Sequence, residues 1–169
     1  MQLSLTQDFP AGMDRLWAVF GRPDYVQQKY AALGAGALRL LHFECSATLI
    51  ALELERVLPL DPARMPAWAR RLVGSTLNLR QRSRWRRLGP AQVEAELEIA
   101  PLGLPVHAQG HGQISELAGG SCRMQLNWQL RSALPLLGGR VERLLAEQLK
   151  RALAQDHAFT LSYLRQHPG

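Results

Sequence analysis

Leu3 and Leu5 alternate with Gln2, Ser4 and Thr6, the two-residue period of a half-buried strand, which ends at Phe9 and Pro10. The period then lengthens. Asp14, Leu16, Trp17, Val19 and Phe20 predict a helix stopped by Gly21 and Pro23, and a second runs over 24–33 to Gly34 and Gly36, residues that end helices at little cost. Strands over 38–44 and 49–57 follow, the second alternating Leu52 and Leu54 with Glu53 and Glu55, joined around Ser46. A third helix is predicted over 62–73, with Met65, Trp68, Ala69 and Leu72 on one face and Arg64, Arg70 and Arg71 off it.

The most regular pattern comes next. Arg80, Arg82, Arg84 and Arg86 alternate with Leu79, Gln81, Ser83 and Trp85 before a turn at Leu88, Gly89 and Pro90. Beyond it Glu94, Glu96 and Glu98 alternate with Val93, Ala95, Leu97 and Ile99. Folding at that turn predicts Arg84 opposite Glu94, Arg82 opposite Glu96 and Arg80 opposite Glu98, with Trp85 beside Val93 and Leu79 beside Ile99. A further hairpin, 106–117 with 122–134, turns at Gly119 and Gly120 and shows Met124, Leu126, Trp128 and Leu130 on its inner face. Gly110 and Gly112 share that side, where glycine lets a helix or a ligand approach the sheet closely. The last element, from Leu136 or Gly139 to Leu164, has Val141, Leu145, Leu149, Ala152, Phe159 and Tyr163 in one helical stripe. Gln148 and Asp156 fall within or beside this stripe, where a packed interior demands hydrogen-bond partners.

Composition adds bounds. Apolar residues make up 47% of the 169 and charged residues 20%, both spread along the chain, so no segment has the low hydrophobicity of a disordered one. The length predicts one domain over 1–166 with a short tail, 167–169. Apolar stretches are broken by Arg, Glu or Pro well before the roughly 20 residues needed to span a bilayer. The opening MQLSLTQDFP does not read as a signal peptide, which sets the expectation of a cytoplasmic protein. Cys45 and Cys122 are too few for a disulfide framework and are expected as small buried hydrophobes.

The net charge of +6 raises the question of an anionic partner. Nucleic acid is disfavoured: the arginine strand has one interleaved aromatic, Trp85, which points to the other side, and three arginines face glutamates. The remaining charge, at Arg64, Arg70, Arg71, Arg86 and Arg87, suits anionic headgroups. PAWARRLVG, with Trp68 on its apolar side and Arg70 and Arg71 on its basic side, is a candidate for transient membrane contact that opens a cavity, or an ordinary helix capping the sheet. His107 and His111, four apart in a strand, stand roughly 13 Å apart and read as surface histidines rather than metal ligands. There is no Gly-x-Ser-x-Gly elbow, phosphate loop or dinucleotide fingerprint, so neither hydrolase chemistry nor a nucleotide cofactor is implied.

The element order, together with ARMPAWARRLVG, the strand ending in SRW, PLGLPVHAQGHGQI, LPLLGGRVERLL and a closing SYL, resembles a bacterial branch of the START-like, or Bet v 1-like (SRPBCC), superfamily. That branch is known as domain of unknown function 2505. The resemblance implies an α+β helix-grip fold: a curved antiparallel sheet wrapped around a long C-terminal helix, with a cavity between. Relatives use that cavity for lipids, sterols, polyketides or other apolar ligands, and a minority are cyclases, ring-hydroxylase subunits or chaperone partners. On this chain it implies binding, transfer or sensing of a hydrophobic small molecule or lipid. The expected apolar walls are Trp85, Leu97, Met124, Leu126, Trp128, Leu149 and Phe159, with Gln81, Ser83, Gln148, Asp156 and Tyr163 as polar companions. Asp156 stands where the family's helix often carries an acid, and a carboxylate facing an apolar cavity is a candidate acid, base or ligand partner. A cyclase or dehydratase acting on a polyketide-like substrate through Asp156 is therefore the alternative, and a protein-interaction module using the basic outer surface the third.

Overall fold

The computed structural model describes residues 1–168, Arg64 by its backbone. Seven strands form one antiparallel sheet: β1 (Gln2–Phe9), β2 (Leu38–Cys45), β3 (Leu49–Pro59), β4 (Thr76–Gly89), β5 (Gln92–Pro101), β6 (Val106–Leu117) and β7 (Ser121–Ser132), in the order β1-β7-β6-β5-β4-β3-β2. Two helices, α1 (Met13–Phe20) and α2 (Pro23–Ala32), link the opposite edges β1 and β2, and α3 (Ala67–Val73) precedes β4. The long α4 (Gly138–Gln166) packs on β7, β1 and α2. This is the helix-grip arrangement, and the sheet's alternation decides which side faces the helix. On β6, Val106, Ala108, Gly110, Gly112 and Ile114 are buried while His107, Gln109, His111 and Gln113 are exposed. Fully burying a side chain such as Ile114 contributes roughly 1.5–3 kcal/mol relative to exposure, so a one-residue slip of this strand is strongly disfavoured.

The β4–β5 hairpin keeps the expected faces but not the expected pairs. Arg82 lies opposite Glu98, Arg84 opposite Glu96, Arg86 opposite Glu94, Trp85 opposite Ala95 and Leu79 opposite Pro101. The register is displaced by two residues because the chain turns at Pro90 and Ala91 rather than at Gly89, with an irregularity between Arg87 and Gly89. An even displacement leaves every side chain on its original face. It also hands Arg80 to β3, where Glu55 meets it at 2.5 Å.

Other boundaries shift for local reasons. The predicted helix over 62–73 divides into a 3-10 turn at Pro62–Arg64 and α3, with Met65 extended between them (φ −106°, ψ 138°). Pro66 forces that break, since a residue preceding proline is pushed out of the α region. Both cysteines are free, but only Cys122 is buried, and burial pushes its thiol up to about 11; Cys45 is exposed on the edge strand β2. His167 is tied down, its ring stacked on Tyr163 at 4.1 Å and its carbonyl accepting from Arg15 at 2.9 Å. Among the described residues no helix is long and apolar enough to cross a membrane.

Candidate functional site

Because α4 leans on β7 and β1, space remains between it, α2 and the β2–β5 half of the sheet. A cavity of about 120 Å³ occupies it. Its apolar wall comes from Phe9, Phe20, Val26, Phe43, Ile50, Leu52, Trp85, Leu97, Ile99, Met124, Leu126, Trp128 and Leu153. Alternation on the strands supplies most of these, and helical spacing on α2 and α4 supplies the polar residues that close it: Tyr25, Lys29, Tyr30, Asp156 and Thr160. Gln7 donates from β1 to the Leu153 carbonyl at 2.9 Å, pinning the helix against the sheet edge.

One polar chain joins the two helices. Thr160 Oγ1 donates back to the Asp156 carbonyl at 2.9 Å, so the Tyr25 hydroxyl, 2.7 Å away, is the donor to Thr160. Burial, the largest influence, and the nearby Asp156 raise Tyr25 to about 12, keeping it a neutral donor. Asp156 Oδ2 meets Lys29 Nζ at 3.0 Å, with the side chains 31% and 15% exposed. Burial alone would lower the lysine's pKa, and Asp156, Tyr25 and Tyr30 more than offset it, so Lys29 holds its proton above the ordinary lysine value. The ammonium also lies 5.4 Å and 5.2 Å from the Tyr25 and Tyr30 ring centres, within cation–π range.

A second chain lies along the sheet. Arg56 Nε donates to Gln81 Oε1 at 3.1 Å, and Gln81 Nε2 donates to the Tyr30 hydroxyl at 2.7 Å. Arg56 is only 8% exposed and its guanidinium carbon sits 5.1 Å from the Tyr30 ring centre. Burial pushes its pKa below the ordinary arginine value, against opposing pulls from Tyr30 and Asp156. Among the described residues no carboxylate pairs with it within 4.0 Å. On the same cavity wall, Trp128 Nε1 is buried without a partner, a state that costs about 1–3 kcal/mol for a polar group.

The expected residues divide. Gln81, Ser83, Trp85, Leu97, Met124, Leu126, Trp128 and Asp156 line the cavity, whereas Leu149, Phe159 and Tyr163 do not. Leu149 and Tyr163 are buried in the packed core, and Phe159 and Tyr163 pack by their rings against Tyr25. Gln148 is exposed, because α4 turns it away from the stripe it borders in sequence. Asp156 faces a lysine rather than a bare apolar wall. Gly110 leaves room for neither helix nor ligand: the Trp128 indole lies over it, 2.8 Å from where a Cβ would stand. On α3, Arg70 and Arg71 are exposed and Trp68 is half-buried. His107 and His111 are exposed, and among the described residues no cluster of three metal-binding side chains occurs.

Sequence reasoning missed Tyr25, Lys29, Tyr30, Arg56 and Thr160, and on the apolar wall Phe9, Phe20, Val26, Phe43, Ile50, Leu52, Ile99 and Leu153. Two signals were present. Tyr25, Val26, Lys29 and Tyr30 recur at the spacing of one helical face, and the Ile50, Leu52, Leu54 alternation arrives at Arg56 on the same side of β3.

The fold matches solved structures at low identity. TTHA0849 from Thermus thermophilus superposes with a TM-score of 0.60 at 13% identity, over 96% of this chain and 99% of that one. Norcoclaurine synthase from Thalictrum flavum, in complex with dopamine and hydroxybenzaldehyde, gives 0.58 at 13% identity over 100% and 88%. Dicamba monooxygenase bound to 3,6-dichlorosalicylic acid gives 0.58 at 14% identity over 98% of this chain and 49% of that one. Identities this low carry the fold alone. No curated protein sequence matches the chain. The family described as Protein of unknown function (DUF2505) matches residues 4–164, nearly the full length, and the chain belongs to it.

Proposed function

We propose that the protein binds a small, largely apolar molecule in the cavity between α2, α4 and the sheet. The observation that carries this reading is the cavity itself: about 120 Å³ of space, walled by aromatic and aliphatic side chains and bordered by the Lys29–Asp156 pair. Its size narrows the occupant. Drug-sized ligands fill roughly 300–1,000 Å³, whereas an apolar cavity of about 150 Å³ holds benzene. A single ring fits this cavity as it stands, and a sterol or a long acyl chain requires α2 or α4 to move. Norcoclaurine synthase, with the same fold, is a precedent for ring-sized occupants, since it holds dopamine and hydroxybenzaldehyde.

Titration of toluene and of palmitate, followed through methyl resonances of Leu97, Leu126 and Met124, tests the reading. Toluene is expected to shift these resonances saturably while palmitate does not. Absence of a saturable shift with either compound refutes binding of a neutral ring or an acyl chain in the cavity, and preferential binding of palmitate refutes the size argument.

A further inference from the structure

A chain of donors fixes the polarity of one end of the cavity. Arginine can only donate, so Gln81 Oε1 must accept from Arg56 and Gln81 Nε2 must donate to Tyr30. The Tyr30 oxygen is thereby used as an acceptor, and its own hydrogen has to go elsewhere. Among the described residues nothing accepts it, although the tyrosine is 3% exposed. Trp128 Nε1, a donor that cannot accept, is buried on the same wall and also lacks a partner. Trp128 Nε1 is sealed from the cavity, so the Tyr30 hydrogen is the group that asks for an acceptor.

Charge narrows the acceptor further. Lys29 and Arg56 both lie against the Tyr30 ring, 5.2 Å and 5.1 Å from its centre. Asp156 is the only carboxylate within 4.0 Å of either cation among the described residues. Of the charged residues lining the cavity, Lys29 pairs with Asp156 and Arg82 with Glu98 at 3.8 Å, so the positive charge left over is that of Arg56, buried behind Tyr30 outside the lining, where an isolated charge is strongly disfavoured. A neutral ligand would leave that charge as it is.

We infer that the ligand is a ring-sized monoanion, a compact carboxylic acid whose carboxylate accepts from the Tyr30 hydroxyl beside Lys29 while its ring lies against Trp85, Leu97 and Trp128. This rests on the reading of the cavity as a ligand site. Tyr30 and Lys29 are the contact residues, and Gln81 and Arg56 are positioning residues that aim the Tyr30 hydrogen.

The experiment is a paired calorimetric titration of benzoate and toluene at pH 7, on the wild-type protein and on Tyr30→Phe. Benzoate is expected to bind at least about tenfold more tightly than toluene, the discrimination of one hydrogen bond to a charged group. Tyr30→Phe is expected to lose about that factor for benzoate and to leave toluene within about twofold. Gln81→Met keeps the tyrosine and frees its hydroxyl to rotate, so benzoate should weaken by roughly threefold, less than in Tyr30→Phe. Toluene binding as well as or better than benzoate overturns the inference and leaves the cavity reading intact. Benzoate affinity unchanged in both variants overturns the assignment of Tyr30. If neither compound binds the wild-type protein, the cavity reading falls and the inference falls with it.

Discussion

On the outer face of β3 and β4, Arg80 and Arg82 are 40% and 51% exposed and each has a glutamate of β3 beside it, Glu55 at 2.5 Å and Glu53 at 3.1 Å. On the inner face of the same strands Arg56 is 8% exposed and has an amide and an aromatic ring instead. Outside, water already solvates both members of a pair, so each pair contributes at most about 1 kcal/mol and its members are exchangeable. Inside, a charge must be met by specific groups, so each one dictates the orientation of its neighbours. The outer ladder is therefore informative about strand pairing, and the inner charges about what the cavity can accommodate.

The sharpest test of that contrast is packing. Gly110→Ala places a methyl group into the Trp128 indole on the inner face, and a loss of about 2 kcal/mol is expected in urea unfolding, from the cost of overpacking. The exposed neighbour Gln109→Ala should stay within about 0.5 kcal/mol, and similar losses at both sites would erase the distinction between the faces.

A smaller effect compares carboxylates. Asp156→Ala leaves the Lys29 ammonium without its counter-charge, and about 1–2 kcal/mol should be lost, less than for a fully buried pair because Asp156 is 31% exposed. Glu98→Ala on the outer face should change stability by less than about 0.5 kcal/mol. The double variant Lys29→Met with Asp156→Leu should recover most of the loss, and failure to do so would mean that the pair holds the fold together rather than the site.

The last effect is silent at neutral pH. Tyr25, raised to about 12 from 10.0, keeps its proton in the folded chain where the unfolded chain releases it. Stability from this group is complete below about pH 10 and is lost as pH rises through about 12. Difference titration of tyrosinate absorbance between wild type and Tyr25→Phe should show the missing step near 12, and a step at 10 would place Tyr25 in contact with water.

Alternation in β4, β5 and β7 is enough to place Trp85, Leu97, Met124, Leu126 and Trp128 on the cavity side, since strand parity depends on the chain alone. Helical phase was less informative on α4. Its stripe is broad enough to include both the packed residues Leu149 and Tyr163 and the cavity residue Asp156, and periodicity does not separate them. The hairpin illustrates the same limit. Faces follow from a period of two, but the pairing of Arg82 with Glu98 depended on a turn that Pro90 and Ala91 make together.

The sequence by itself determined the antiparallel hairpins, the long final helix and the separation of charged from apolar faces, because each depends on residues close together in the chain. Only the tertiary structure decided that Lys29 of α2 meets Asp156 of α4, 127 positions away, and that Tyr30 meets Gln81 of β4. Those contacts depend on how far α4 leans toward β7 and how α2 closes the other side, which is settled by the fit of many side chains at once. The part of the wall that β4, β5 and β7 contribute was thus legible in the pattern of the chain, and the cavity's charge and its hydrogen-bonding direction were not.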